Sequence, residues 1–255
     1  MEPAAGTPAG RNTVGLFDLI KPNDKKKIEG LVKKVKEPYA QPEVRREAME
    51  GLFKMGTDDA LRGVLKRFTF VCQSLHWDGE EKRWLIDELA RTGTPAVQPV
   101  KDFIHQDDNV VLAIRALEKL LDAQQVTETL ISALQARAPD AYRATQAKLE
   151  IIDHLGSGPV SDRAWEAVQP YLEDHSDDVR AKVLEVVEGW SLEAAAAQVA
   201  RLLLDDTLSA RVHRQAAQCL CALKARLSPA PVLPPAAQED YTVDGDGQVI
   251  RKRPS

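Results

Sequence analysis

The sequence predicts an all-α protein: an α-solenoid of about six helical hairpins, closed by an extended tail and a short β-hairpin. Three observations predict it. One helical apolar face recurs along the chain. Each recurrence is followed by a break and a second apolar helix. A proline-rich exit then leads to two short β-like stretches around a glycine-containing turn.

Composition sets the outer limits. With 44% hydrophobic and 29% charged residues among 255, the chain has enough apolar content for a core, so wholesale disorder is excluded. No apolar run approaches the roughly 18 residues of a membrane-spanning helix. Three cysteines, Cys72, Cys219 and Cys221, are an odd number in a long chain and argue against a disulfide scaffold. The opening residues lack the profile of a secretory signal, so a reducing cytoplasm is the expectation.

From the N-terminus, residues 1–13 are expected to be disordered and residues 14–38 to form capping helices. The apolar segment Val14–Ile20 is stopped by Pro22. The next helix, Asp24–Glu37, gathers Ile28, Leu31, Val32 and Val35 on one face, with Lys25, Lys26, Lys27, Lys33, Lys34 and Lys36 around the rest. Such a helix suits either the specialised end of a stack or an anionic lipid surface, and the sparse apolar face favours the cap.

Residues 39–226 carry the repeat. Apolar residues at +4, +5 and +8 from an anchor mark one helical face. Val44 leads to Ala48, Met49 and Leu52; Val179 to Val183, Leu184 and Val187; Val212 to Ala216, Ala217 and Leu220. Weaker anchors repeat it: Glu81 with Leu85, Ile86 and Leu89; Asn109 with Ala113, Ile114 and Leu117; Ala147 with Ile151, Ile152 and Leu155. The anchor gaps are 37, 28, 38, 32 and 33 residues, within the range of helical repeats. Breaks follow at Gly56-Thr57, Gly93-Thr94, Gly156 with Gly158, and Gly189, where glycine closes one helix and threonine can cap the next. Second helices are expected over 60–68, 95–104, 126–135, 160–172 and 192–204. The acidic turns Asp107-Asp108 and Ser176-Asp177-Asp178 are placed to cap the helices after them. A lone hairpin cannot bury its apolar face, so neighbours must stack into a right-handed solenoid.

Pro42-Glu43-Val44-Arg45-Arg46-Glu47-Ala48-Met49-Glu50-Gly51-Leu52 resembles the Pro-x-Val-Arg-x-x-Ala-x-x-x-Leu pattern of the HEAT family, particularly its short bacterial HEAT-like repeats, also seen in bilin lyases. Asp178-Val179-Arg180 with Leu184 matches in part. Glu81 and Ala147 replace the valine, and Asn109 lacks the following arginine. The resemblance spans about residues 40–226 and implies a bacterial α-solenoid; it specifies no function.

Past the repeats, Pro229, Pro231, Pro234 and Pro235 predict an extended linker over 227–240. Tyr241-Thr242-Val243 and Gln248-Val249-Ile250 around Asp244-Gly245-Asp246-Gly247 predict a hairpin in the tail 241–255, free to clip onto the last repeat, stay mobile or pair with a partner strand. The Asp/Gly run lacks the twelfth-position glutamate of a calcium loop.

Motifs for chemistry are missing. His76, His105, His154, His175 and His213 are scattered without the His-Glu pairs that supply metal ligands in HEAT-fold hydroxylases. There is no phosphate-cradling glycine motif and no Gly-x-Ser-x-Gly elbow. Cys219-Leu220-Cys221 has the wrong spacing for a redox pair, and Cys72 is given no role. Trp77, Trp84, Trp165 and Trp190 invite comparison with HEAT-like alkylpurine DNA glycosylases, but packing at repeat junctions is the expectation for them. Charge agrees: residues 1–70 carry a net +4, whereas residues 71–250, with 17 Lys+Arg against 29 Asp+Glu, carry −12. An acidic body repels a phosphate backbone.

The expected function is therefore a non-enzymatic scaffold or adaptor, without cofactor or metal, that binds another protein on the concave face lined by second helices. The candidate contact residues are Arg62, Lys66, Lys101, Glu128, Gln135, Glu166, Gln198 and Arg201, a mix of both signs suited to protein recognition. The alternatives are an enzyme of the glycosylase or bilin-lyase type and a membrane-surface adaptor using residues 14–37.

Overall fold

In the computed structural model, which describes residues 22–253, the repeat pattern becomes two layers of helices. The first helices of successive hairpins are α2 (Pro42–Met55), α4 (Leu75–Thr92), α6 (Val111–Leu120), α8 (Thr145–Ser157), α10 (Asp177–Gly189) and α12 (Ala210–Leu223). The second helices are α3 (Asp58–Leu65), α5 (Thr94–Gln106), α7 (Ala123–Gln135), α9 (Asp162–Val168) and α11 (Ala196–Leu204), with α3 and α9 prolonged by 3-10 turns over Lys66–Thr69 and Gln169–Glu173. The expected disordered stretch 1–13 and the apolar segment Val14–Ile20 lie outside the described residues.

Helices contact their next-but-one neighbours in sequence: α4 touches α6, α8 touches α10, α10 touches α12, and α3, α5, α7 and α9 follow one another in the other layer. That connectivity makes a stack of hairpins, and the apolar side chains explain it. All eighteen residues at the +4, +5 and +8 positions are at most 8% exposed. They form one continuous core with the inward residues of the second helices, such as Val64, Leu65, Leu130, Leu134 and Val199.

The anchors themselves are less uniform. Val179 and Val212 are fully buried, but Val44 is 40% exposed. The helix α2 begins the first-helix layer, so no earlier first helix covers that side. The terminal helix α1 (Pro22–Val35) instead packs on α2 and α3, burying Ile28 and Val35 and leaving its lysines outward.

One hairpin break is built fully as the sequence suggests. Gly56 adopts φ +63° to close α2, and the Thr57 hydroxyl accepts the Ala60 N–H to start α3. Elsewhere the details differ. Gly93 closes α4, but Thr94 makes no side-chain cap and simply begins α5. Gly156 does not end a helix: it lies within α8, where a side chain would collide with Val186 of α10. The positive φ after α10 falls on Ser191, not Gly189. The acidic turns are also used differently. At α6 the cap comes from the next hairpin, since the Glu150 carboxylate accepts the N–H groups of Val110 and Val111 at 2.6 and 2.8 Å.

A sixth second helix is replaced by the C-terminal segment. Within the proline-rich stretch 227–240 the one-turn helix α13 (Pro235–Gln238) packs on α12, and Leu233 and Ala237 are buried. Strands β1 (Tyr241–Val243) and β2 (Val249–Arg251) then pair antiparallel, with Tyr241 and Val249 buried, and β2 packs on α12. The tail thus clips onto the last hairpin. The Asp244 carboxylate is occupied by the N–H groups of Asp246 and Gln248, which shapes the turn. No helix among the described residues is long and apolar enough to cross a membrane.

Candidate functional site

The cations at the foot of each first helix do the least expected work. In five of the six units the residue after the anchor is basic: Arg45, Lys82, Lys148, Arg180 and His213. Except at Lys82, which lies well inside α4 and bonds to Asp78, the α-helix begins near this point, so the side chain faces back toward the loop that precedes it. Arg45 donates through Nη1 to the carbonyls of Glu37, Pro38 and Ala40. Lys148 donates to the carbonyls of Ala138 and Pro139 and to the Asp174 carboxylate, 2.6 Å away, with both charges fully buried. The His213 ring donates through Nε2 to the Asp205 carbonyl at 2.8 Å. Only the third unit has an apolar residue here, Val110. There Arg137, from the end of α7, reaches the carbonyls of Ile104 and Asp107 instead. The Tyr171 hydroxyl, between the carbonyls of Leu134 and Arg137, holds the following loop; burial, with help from Asp174, pushes its pKa up to about 12.

The first junction is the most charged. Glu81 stands where the repeat pattern has valine, and its carboxylate receives Arg45 from α2 and Arg67 from the turn after α3. Arg67 also donates to Asp78 and to the Cys72 sulfur, both buried. Burial alone would raise the Asp78 carboxyl, but hydrogen bonds from Lys82, Arg67 and the Cys72 N–H hold it down at about 2. Burial pushes the Cys72 thiol up despite the nearby Arg67, so it is not a ready nucleophile.

The second-helix face carries a line of polar links between hairpins. Arg62 donates to Asp102 at 2.7 Å, which raises the guanidinium pKa through that hydrogen bond. Lys66 lies 4.0 Å from Asp107 and over the Phe103 ring. The His105 ring donates from Nδ1 to the Lys101 carbonyl at 2.9 Å, and its Nε2 shares a hydrogen bond with the Ser132 hydroxyl at 3.2 Å. Glu128 pairs with Arg163 of α9. A comparable line runs across the first helices through Lys119 with Asp87, Lys182 with Asp153 and Arg211 with Asp178.

The eight candidate contact residues fall into separate places on this face. Arg62 and Lys66 are engaged by Asp102 and Asp107. Lys101 and Glu128 line a shallow recess of about 510 Å³ between α5 and α7. Gln135 and Glu166 are exposed individually. Gln198 and Arg201 share a cleft of about 530 Å³ with Arg180, Glu173 and Asp205. A larger groove of about 1010 Å³ opens between α7 and α9, with Leu121, Val126 and Leu155 in its floor and His154 and Arg163 at its edge.

Three of the four tryptophans pack against the core. Trp84 meets Phe53 edge-on beneath Arg46, Trp165 lies against the core, and Trp190 donates to the Gly158 carbonyl; Trp77 is 48% exposed. Cys219 is buried, with its thiol pushed up to about 12. Among the described residues no group of three His, Cys, Asp or Glu side chains is arranged to hold a metal ion. The buried charges Glu81, Arg67, Asp78, Lys148 and Asp174 were not among the sequence candidates. The basic residue repeating one place after the anchor points to Lys148 among them and to none of the others. No protein-family model matches the chain, and neither does any curated protein sequence.

Proposed function

We propose that the chain is a non-enzymatic scaffold of the HEAT-like type that receives another protein on its second-helix face. One observation carries this reading: that face extends over five hairpins and alternates arginine, lysine, aspartate, glutamate and glutamine with shallow recesses between them. An elongated surface of mixed sign suits a protein partner, whose polar rim and scattered anchors it can match. It suits a nucleic acid poorly, since the carboxylates paired with Arg62 and Arg163 would oppose phosphate.

The membrane-surface alternative has less to stand on. In the described part of that segment, Ile28 and Val35 of α1 are already buried against α2 and α3 and are not free to insert. Affinity capture from the native lysate tests the scaffold reading, using the wild type and an Arg62→Ala, Lys101→Ala, Arg201→Ala triple variant of equal melting temperature as baits. A protein held by the wild type and lost by the variant is expected. Identical captures, or duplex DNA binding that falls steeply with salt, would reject the reading.

A further inference from the structure

Helix α1 carries its cations differently from the hairpins it closes. Along the hairpins, cations pair with carboxylates, as Arg46 does with Glu50, Arg62 with Asp102 and Lys119 with Asp87. Among the described residues no ion pair engages Lys25, Lys26, Lys27, Lys33 or Lys34 of α1, or Lys36 just after it, and all six are exposed. By helical geometry the five lysines of α1 spread over about 200° of its circumference. Glu29 is the one carboxylate among them.

The centre of that face is bare. Gly30 has lysines at all four neighbouring positions of the helix surface, Lys26 and Lys27 one turn before it and Lys33 and Lys34 one turn after. Glycine inside an exposed helix costs stability. Two other glycines at this end have a packing reason. A Cβ on Gly63 would stand 2.6 Å from Val32, and one on Gly51 would stand 3.3 Å from Leu31, so both let α1 sit close on its hairpin. A Cβ on Gly30 would meet nothing within 4 Å. Packing therefore does not call for Gly30; its effect is to leave open backbone among four lysines on a firmly seated helix.

Uncompensated ammonium groups at this density attract an anion, and lysine reads it as a point charge rather than by a fixed fork. A flat anionic membrane or a stiff duplex meets only part of so wide an arc at once. Either would also extend over hairpins that are net acidic across residues 71–250. A flexible acidic chain can follow the helix and stop at its end. We propose that α1 binds an acidic segment of a partner protein, laid along the lysine face with its closest approach over Gly30. This contact is separate from the second-helix face, and either can fail without the other.

The probe is a fluorescent peptide of about seven glutamates, whose extended length matches the roughly 21 Å of α1. Its affinity for the full chain is read by anisotropy at low salt. Lys26→Gln, Lys27→Gln, Lys33→Gln and Lys34→Gln together are expected to weaken binding about thirtyfold. The control combines Lys54→Gln, Lys119→Gln, Arg143→Gln and Arg251→Gln, all exposed and equal in charge change. It should weaken binding less than about twofold. Gly30→Met changes no charge and should weaken binding about threefold by covering the bare centre, while melting above the wild type. Equal losses from the two quadruple variants would reduce the patch to net charge and overturn the proposal. So would the absence of binding, a Gly30→Met variant that binds as the wild type does, or one that melts below it. Duplex DNA and phosphatidylserine vesicles are compared at the same total charge. If either binds more tightly than the peptide through the same four lysines, the occupant is a phosphate surface and the acidic-protein assignment is rejected.

Discussion

Arg45 and Arg180 occupy the same place in their repeats, each directly after an anchor valine, yet the fold treats them differently. Arg45 is 2% exposed, with Glu81 on one side and three loop carbonyls on the other. Arg180 is held by Asp177 and keeps Nε unpaired at the wall of a cleft. The difference lies in the neighbours. At the first junction the next hairpin supplies Glu81 at its own anchor position, and the preceding loop folds its carbonyls inward. At the fifth hairpin the corresponding residue of the next unit is Val212, which offers no carboxylate. One position of the repeat thus serves as a clamp between hairpins where the next hairpin provides a carboxylate, and is held only within its own helix where it does not.

The strongest way to break that comparison is to remove the shared carboxylate. Glu81→Ala leaves the buried guanidiniums of Arg45 and Arg67 short of their common partner and should destabilise the protein by about 3–5 kcal/mol in urea unfolding. A loss below about 1 kcal/mol, the scale of a surface pair, would show that the network is not a clamp.

Acid should loosen the same junction. Asp78 titrates at about 2 in the fold against an ordinary 3.8, so its contribution is complete above about pH 4 and lost as pH falls through the range between the two values. That shift corresponds to about 2 kcal/mol. The stability gap between the wild type and Asp78→Asn should therefore close on acidification from pH 5 to about pH 2. A gap that stays constant over that range would place the interaction elsewhere.

At the other pole of the comparison, Arg180→Met should change the stability of the free chain by less than about 1 kcal/mol, because the residue has one carboxylate partner and is 18% exposed. Arg45→Met, which strips three loop carbonyls and one buried carboxylate of their donor, should cost several times more in the same unfolding assay. Equal costs would mean that both arginines are clamps.

These contrasts also show what was legible in the sequence. The six first helices, the five second helices and the closing hairpin follow from apolar spacing and turn residues, because burial is periodic and periodicity is local. Two of the buried charge pairs, Lys148 with Asp174 and Arg45 with Glu81, join residues 26 and 36 apart, which no local spacing encodes. Glu81 looks like a defect of the repeat until the two arginines are seen around it. Cys72 was equally opaque, since its burial depends on Arg67 and Asp78 folding over the link that carries it. Among the candidate contacts, the chain pattern identified Gln198 and Arg201 as outward residues of α11. It gave no sign that Arg180, on the other layer, would share a cleft with them.

The smallest expected effect concerns the polar links of the second-helix face. Arg163 and Glu128 join α9 to α7 with side chains 64% and 38% exposed, so water competes for both charges. Arg163→Ala should therefore cost no more than about 1 kcal/mol, and the cost should shrink further in 1 M salt, where the screening length is about 3 Å. The Glu81 network, shut away from ions, should keep its full effect at the same salt. A salt-resistant loss at Arg163 would mean that this face is clamped as firmly as the first junction. A weak, salt-sensitive one means that its links align the hairpins without locking them, and that an arriving partner can exchange those charges for its own at little cost to the fold.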